Sequence, residues 1–130
     1  YTAGQYIELI DRAREMMPDI SLASDFIVGF PTETEEEFQM TVELTKHCRF
    51  KNSFIFKYSP RPGTHAAQKY PDDIPDEVKR RRNNELLAVQ GEICAANNAA
   101  MVGQTVDIIV EGEGSLASPP AVDAVKVELG

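Results

Sequence analysis

The sequence predicts an α/β fold built around two parallel strands, and three observations support this. A short apolar run at residues 20–28 ends in Gly-Phe-Pro, which is typical of a buried strand in a parallel sheet. A second β-rich run follows at residues 52–58, and a capped amphipathic segment lies between them. Because strand, helix and strand in this order form a βαβ unit, we expect the two strands to be parallel neighbours.

The helix between the strands has a clear start and a clear inner face. Thr34 and Glu37 form a capping-box pattern, and acids in the first turn suit the positive end of the helix dipole. Its core-facing positions are Phe38, Thr41, Val42, Thr45 and Cys48.

Two further helices flank this unit. Thr2 and Gln5 form a second capping box, which opens a helix over residues 3–17. A long helix is expected from Pro75 to about Met101, because proline is favoured in the first turn and apolar residues then recur by three and four. Its apolar face is Leu86, Val89, Ile93, Ala96 and Ala100.

The pattern changes after the long helix, which makes that point the best candidate for a domain boundary. Residues 104–111 alternate like a strand with one exposed face, and residues 124–129 alternate again. Helices and parallel strands are therefore expected before residue 103, and short alternating strands after it.

Charge and hydropathy limit the possible environments. The 130 residues carry a net charge of −8, which disfavours a stand-alone nucleic-acid binder but not a domain whose partner supplies the basic surface. No apolar run reaches the length of a membrane span, so we expect no membrane contact and a cytoplasmic location. The first residue is Tyr1 rather than Met, which suggests an internal piece of a longer protein.

The cysteines and histidines show no metal-ligand spacing, so no metal site is predicted. Cys48 and Cys94 stand far apart, as do His47 and His65. We expect two free thiols, buried or half-buried. The sequence contains no catalytic triad and no phosphate-loop signature, and we predict no catalytic residue in it.

The candidate site lies beyond the carboxyl ends of the two strands, where α/β sheets bind ligands. Gly29 ends the first strand and would allow a ligand close to the backbone, although a tight strand-to-helix turn without a ligand explains it as well. Glu33 could be a site residue or a first-turn helix charge. After the second strand, Arg61 is held between two prolines and either binds a carboxylate or phosphate or is an exposed loop residue.

Two other charged features have alternative explanations. Asp25 falls inside the expected buried strand, so its carboxylate needs either a cation or a backbone N–H as a partner. The basic run Lys79–Arg82 opens the long helix and is expected to form a solvated helix face, with RNA contact as the alternative.

Three stretches together resemble one enzyme family. The first is Tyr1-Thr2, the following helix and Pro18-Asp19-Ile20; the second runs from Ser24 to Phe38; the third runs from Phe54 to Thr64. Their order and spacing resemble the radical-S-adenosylmethionine (SAM) methylthiotransferases, and most closely the branch that acts on N6-isopentenyladenosine in tRNA. The likeness covers about residues 1–111.

The resemblance implies an architecture. It would make residues 1–74 the C-terminal portion of a partial (βα)6 TIM-like radical-SAM barrel, residues 75–103 a connecting helix and residues 104–130 a truncated β segment. The helix after Pro75 would then connect that core to a small RNA-binding β-barrel called TRAM, whose first strand would be residues 104–111. Residues 112–130 do not follow the family's pattern, so a truncated or altered TRAM domain is expected.

The resemblance also implies cofactors and partners. The family uses SAM and two 4Fe–4S clusters, and one cluster is held by a Cys-x3-Cys-x2-Cys motif that is absent from this chain. The expected partners are tRNA and the missing N-terminal portion of the same protein. The cofactor-binding residues carried over are Gly29, Phe30, Glu33, Arg61 and Gly63.

The function expected is therefore that of a fragment of a tRNA methylthiotransferase, itself inactive without the cluster cysteines. Two alternatives remain open. One is a methylthiotransferase that acts on threonylcarbamoyl-adenosine or on a ribosomal protein, although Ser59–Thr64 favours a tRNA enzyme. The other is a non-enzymatic RNA-binding module.

Overall fold

The computed structural model describes residues 1–110 and Gly112, and the structural statements below concern these residues. The elements in chain order are α1 (Ala3–Met16), β1 (Ala23–Val28), α2 (Glu35–Cys48), β2 (Asn52–Lys57), α3 (His65–Lys69) and α4 (Asp76–Met101). The predicted α/β class is confirmed. None of these helices is both long enough and apolar enough to cross a membrane.

The two strands are parallel neighbours, as the βαβ pattern predicts. Ala23 pairs with Asn52 at the start of the register, and Val28 pairs with Lys57 at its end. Because the strands run in the same direction without offset, their carboxyl ends meet at one edge of the sheet.

One face of the sheet is covered by α2 and α4, and the other is open. The covered face contributes to a core made by Val28, Phe38, Val42 and Leu86, all nearly inaccessible to water. On the open face Ile27, Phe54 and Phe56 each remain more than half exposed. The two-stranded sheet is therefore packed from one side only.

A second core joins α1 to the amino end of the sheet. Ile10, Cys48 and Phe50 form its buried centre, and the rings of Phe26 and Phe50 meet edge to face at 5.9 Å. Both predicted capping boxes are present, at Thr2 and at Thr34.

The middle of α4 is attached to β2 by buried polar groups. Gln90 donates to the Phe50 carbonyl at 2.9 Å and accepts from the Ser53 hydroxyl at 2.8 Å. Because both ends of this side-chain amide are satisfied, the amide can be buried without a large penalty.

Several predicted boundaries are wrong. β1 begins at Ala23 rather than at residue 20, and α3 was not anticipated. Residues 104–110 form no strand, and their apolar side chains are exposed. An alternating pattern makes a strand only where a neighbour pairs with its backbone groups, and the described chain provides none there. The expected strand at residues 124–129 lies outside the described residues.

Candidate functional site

The two strand tips lie side by side at the carboxyl edge of the sheet. We call residues 29–33 the first tip and residues 58–64 the second tip. The Tyr58 N–H donates to the Val28 carbonyl at 2.8 Å, which extends the ladder past the strand ends. The Phe30 ring then lies edge to face on Tyr58 at 5.1 Å and close to Tyr70 at 6.1 Å. An aromatic cluster therefore joins the tips.

The first tip is a tight turn with two left-handed residues. Gly29 has φ 72° and Thr32 has φ 73°. The Gly29 N–H donates to Glu33 Oε1 at 2.9 Å, and the Glu33 N–H donates to the Phe30 carbonyl at 2.9 Å. The Thr32 N–H is satisfied by Asp73 Oδ1, also at 2.9 Å. The turn is thus held by its own hydrogen bonds and by one from the segment before α4.

The space beside Gly29 is filled by a side chain of the same protein. A Cβ added at Gly29 would overlap Lys79 Cγ and would lie 3.2 Å from Lys79 Cδ. The sequence indicated that glycine here permits a close approach to the backbone, and in the structure the approaching group on this side is the aliphatic stem of Lys79.

Glu33 lies before the second helix rather than in its first turn, because Thr34 is the N-cap. The interpretation of Glu33 as a first-turn helix charge is therefore wrong. Its carboxylate is only 13% exposed and forms an ion pair with Arg82 at 2.6 Å. The same oxygen accepts the Gly29 N–H, so both of its partners belong to the protein.

The basic run at the start of α4 divides into two kinds of residue. Arg80 and Arg81 are exposed and pair with acids on the surface. Lys79 and Arg82 are 5% and 4% exposed and face the sheet. The prediction of a solvated face is therefore wrong for these two. Lys79 lies seven residues before Leu86 and Arg82 lies four before it, so extending the apolar spacing of the helix backwards would have identified both.

Beyond β2 a groove opens next to the second tip. We call it the strand-tip groove; its volume is about 440 Å³, and residues bordering it include Ile27, Phe56, Tyr58, Arg61, Thr64 and Ala66. Its lining is mostly apolar, and Arg61 is the arginine that borders it. Within residues 1–110 the Arg61 side chain takes part in no hydrogen bond or ion pair, so it is free to meet an anion.

The second tip is shaped by a hydrogen-bonded turn. Gly63 has φ 85°, and nothing lies within 4 Å of the position its Cβ would take. Thr64 Oγ1 donates to the Arg61 carbonyl at 2.8 Å and also accepts from the Ala67 N–H at the start of α3. The five sequence-predicted residues thus divide into Gly29, Phe30 and Glu33 on one tip and Arg61 and Gly63 on the other.

Asp25 does not need the partner that the sequence implied. Its side chain is exposed on the open face of the sheet, at the register position of Phe54. The expectation of a buried acid is wrong because only one face of β1 is covered.

The thiols do not fit an iron–sulfur cluster. Cys48 is in the second core, where burial raises the pKa of its thiol above the ordinary 9.0. Cys94 is half-buried and donates to the Lys51 carbonyl at 3.2 Å. Both cysteines are free, as predicted. In the part of the chain that the structure describes, no three His, Cys, Asp or Glu side chains are grouped to hold a metal ion.

Comparisons with known proteins identify relatives of one kind. The chain is 50% identical over 129 residues to a tRNA-2-methylthio-N(6)-dimethylallyladenosine synthase from Rhodopirellula baltica, which covers 99% of this chain and 27% of the relative. Proteins with the same name from Phocaeicola vulgatus and Protochlamydia amoebophila are 43% and 47% identical, over 86% and 85% of this chain and 25% and 24% of their own lengths. The chain therefore spans about a quarter of these relatives. No protein-family model matches it.

Proposed function

Because this chain belongs to the family of the tRNA-2-methylthio-N(6)-dimethylallyladenosine synthases, we propose that the protein containing it is a tRNA methylthiotransferase. Its substrate is N6-isopentenyladenosine next to the anticodon, and it uses SAM and iron–sulfur clusters. The observation that carries this proposal is the identity of 50% over 99% of the chain to one synthase of that name. The activity is proposed for the whole protein, in the cytoplasm.

The role proposed for this segment is to form one wall of the SAM pocket. The common edge of the tips supports it, because ligands of parallel sheets bind beyond the carboxyl ends of the strands. The strand-tip groove combines a mostly apolar lining with a free guanidinium, which suits a ligand with an aromatic ring and a carboxylate. Phe30, Arg61 and Gly63 are the proposed contacts there.

Gly29 and Glu33 belong to the same proposed site, but their proposed role is to shape it and not to contact the ligand. The Glu33 carboxylate holds the Gly29 N–H and the Arg82 guanidinium, so its proposed contribution is to shape the first tip. The left-handed φ of Gly29 serves the same turn.

The iron–sulfur clusters do not fit this segment, since one of its two thiols is buried in the second core and the other is bonded to a backbone carbonyl. We therefore propose no chemical step on these residues. The cluster ligands are assigned to the preceding portion of the protein, and residues 1–130 alone are proposed to be inactive.

The proposed architecture follows from the open face. Ile27, Phe54 and Phe56 are the sheet positions that further strands of a partial (βα)6 barrel would cover. We propose residues 1–74 as the end of that radical-SAM barrel, residues 75–103 as the connecting helix and residues 104–130 as the start of a TRAM domain.

Nucleoside mass spectrometry tests the function. Total tRNA from cells lacking the gene should lose 2-methylthio-N6-isopentenyladenosine and accumulate N6-isopentenyladenosine, and the cloned gene should restore the product. Unchanged levels would contradict the proposal. Loss of the methylthio derivative of threonylcarbamoyl-adenosine, or of a methylthio group on a ribosomal protein, would instead support the alternative substrates.

A non-enzymatic RNA-binding module is the other class of function, and two observations count against it. The net charge is −8, and half of the basic run on α4 is buried against the protein. Filter binding of tRNA to residues 1–130 would favour the module only if the Kd were submicromolar and the binding weakened as the salt concentration rose.

A further inference from the structure

Two buried cations on α4 connect the helix to both strand tips. Lys79 and Arg82 lie three residues apart on one helix face, and each side chain is almost entirely excluded from water. Burying a charge is unfavourable unless it is paired and hydrogen-bonded, so the partners of these residues show what the arrangement maintains.

Arg82 contacts the first tip, and it also pairs with Glu35 at the start of α2 at 3.3 Å. Its Nη1 donates to Glu33 Oε1 at 2.6 Å and to the Glu33 carbonyl at 3.1 Å. That carboxylate in turn accepts the Gly29 N–H, so a continuous path runs from α4 through Glu33 to the end of β1. The guanidinium also lies over the Phe38 ring, 5.6 Å from its centroid, which limits the positions it can take.

Lys79 touches both tips. Its Nζ donates to Asp72 Oδ1 at 2.5 Å and to the Tyr58 carbonyl at 3.3 Å, and it lies 5.4 Å from the centroid of the Tyr58 ring. Its aliphatic stem packs against Gly29 of the first tip. One side chain therefore contacts both the end of β1 and the end of β2.

We propose that Lys79 and Arg82 are positioning residues, which set the separation of the two tips and with it the shape of the strand-tip groove. The identity of the ligand, an adenosyl compound, rests on the proposed function. Apolar residues would attach α4 to the sheet without the cost of burying charge, whereas directional ion pairs specify where each tip lies. Neither residue needs to touch the ligand.

The test uses the natural polypeptide that contains this sequence, with S-adenosylhomocysteine as the probe. Arg82→Gln should raise the Kd of the probe by on the order of tenfold or more, because a tip displaced by a fraction of an ångström no longer matches the ligand. Arg80→Gln is the matched control: it removes the same charge from an exposed pair with Asp76, which Arg82 does not contact, and it should change the Kd by less than about twofold. Arg82→Lys keeps the charge and should recover part of the affinity.

A second measurement needs no ligand. In Arg82→Gln and in Glu33→Gln the backbone amide resonances of Gly29 and Phe30 should move, whereas in Arg80→Gln they should not. If Arg82→Gln fails to fold, Glu33→Gln and Arg82→Lys provide the comparison. Thermal unfolding midpoints identify the temperature at which every variant is folded.

The outcomes separate the two proposals. Failure of the unsubstituted protein to bind the probe contradicts the assignment of the ligand, while the amide shifts still decide the positioning role. Unchanged amide resonances, together with a Kd in the Arg82 and Glu33 variants that matches the control, would overturn the positioning role even if the probe binds well.

Discussion

The position that a Cβ of Gly29 would occupy coincides with the side chain of Lys79. Two independent conditions therefore require glycine at the end of β1: the left-handed φ of 72° and the close approach of a buried lysine. Gly63 meets only the first condition, since its φ is 85° and the space around it is open. Comparing alanine substitutions at these two glycines therefore separates the cost of backbone strain from the cost of steric overlap.

We predict that Gly29→Ala destabilises the protein more than Gly63→Ala. The strain of placing alanine in the left-handed region costs about 1–2 kcal/mol at either position. At Gly29 the displaced Lys79 adds a further cost of about 1–3 kcal/mol, typical of an overpacked site. Urea unfolding of both variants measures the difference, and equal losses would show that Lys79 moves aside freely.

Thr32→Gly is expected to stabilise the protein slightly. Thr32 is a β-branched residue with φ 73°, a conformation that costs about 1–2 kcal/mol for a residue with a side chain. Glycine removes that strain but gains freedom in the unfolded chain worth about 0.5–1 kcal/mol, so the net gain is up to about 1.5 kcal/mol. The hydrogen bond from its N–H to Asp73 involves only the backbone at this position and is retained.

Urea unfolding measures the effect of Thr32→Gly, and Thr34→Ala is a control that should change the stability in the opposite direction. It removes the hydroxyl that caps α2 and should cost about 0.5–2 kcal/mol. A loss of stability in Thr32→Gly would mean that the threonine side chain contributes more than its backbone strain costs.

The stability of α4 should depend on pH through Asp76. Hydrogen bonds from Arg80 and Lys57 lower the pKa of Asp76 from 3.8 to about 2. Because the pKa is lower in the folded protein, the pairs contribute fully above pH 3.8, and their contribution is lost as the pH falls to about 2. Asp76→Asn should therefore lower the unfolding midpoint at pH 7 and make little difference near pH 2. A constant difference between the two proteins across this range would contradict the assignment.

The two thiols should differ in reactivity. Burial raises the pKa of Cys48, and its side chain is enclosed in the second core, so it should not react with a thiol reagent in the native state at pH 8. Cys94 is half-buried and should react. Native protein is expected to titrate with one thiol and unfolded protein with two, and Cys94→Ser should abolish the native reaction. Two rapidly reacting thiols would indicate that the second core opens.

Residues 1–130 alone should associate with themselves. The open face exposes Ile27, Phe54 and Phe56, and the sheet has two unpaired edges among the described residues. Sedimentation should show mass that increases with concentration, and Phe54→Thr combined with Phe56→Thr should reduce the increase. A clean monomer with a sharp thermal transition would argue that this face needs no cover.

Local signals in the sequence were sufficient for much of the fold. The capping boxes at Thr2 and Thr34 involve residues three apart, so their geometry depends on little else. The parallel pairing of β1 and β2 followed from the order of strand, helix and strand. From that pairing alone, both tips could be expected at one edge of the sheet, and the structure has them there.

Burial was decided by tertiary structure. Asp25 was expected to be buried and is exposed, whereas Lys79 and Arg82 were expected at the surface and are buried. The alternation of residues 104–110 predicted a strand, which requires a pairing partner that residue order does not supply. The physical reason is common to all of these: caps and crossovers depend on nearby residues, but the environment of a side chain depends on which distant segments pack against it. The sequence alone determined the order of β1, α2 and β2 and the parallel direction of the strands, and only packing decided that two cations of α4 would contact the tips of both strands.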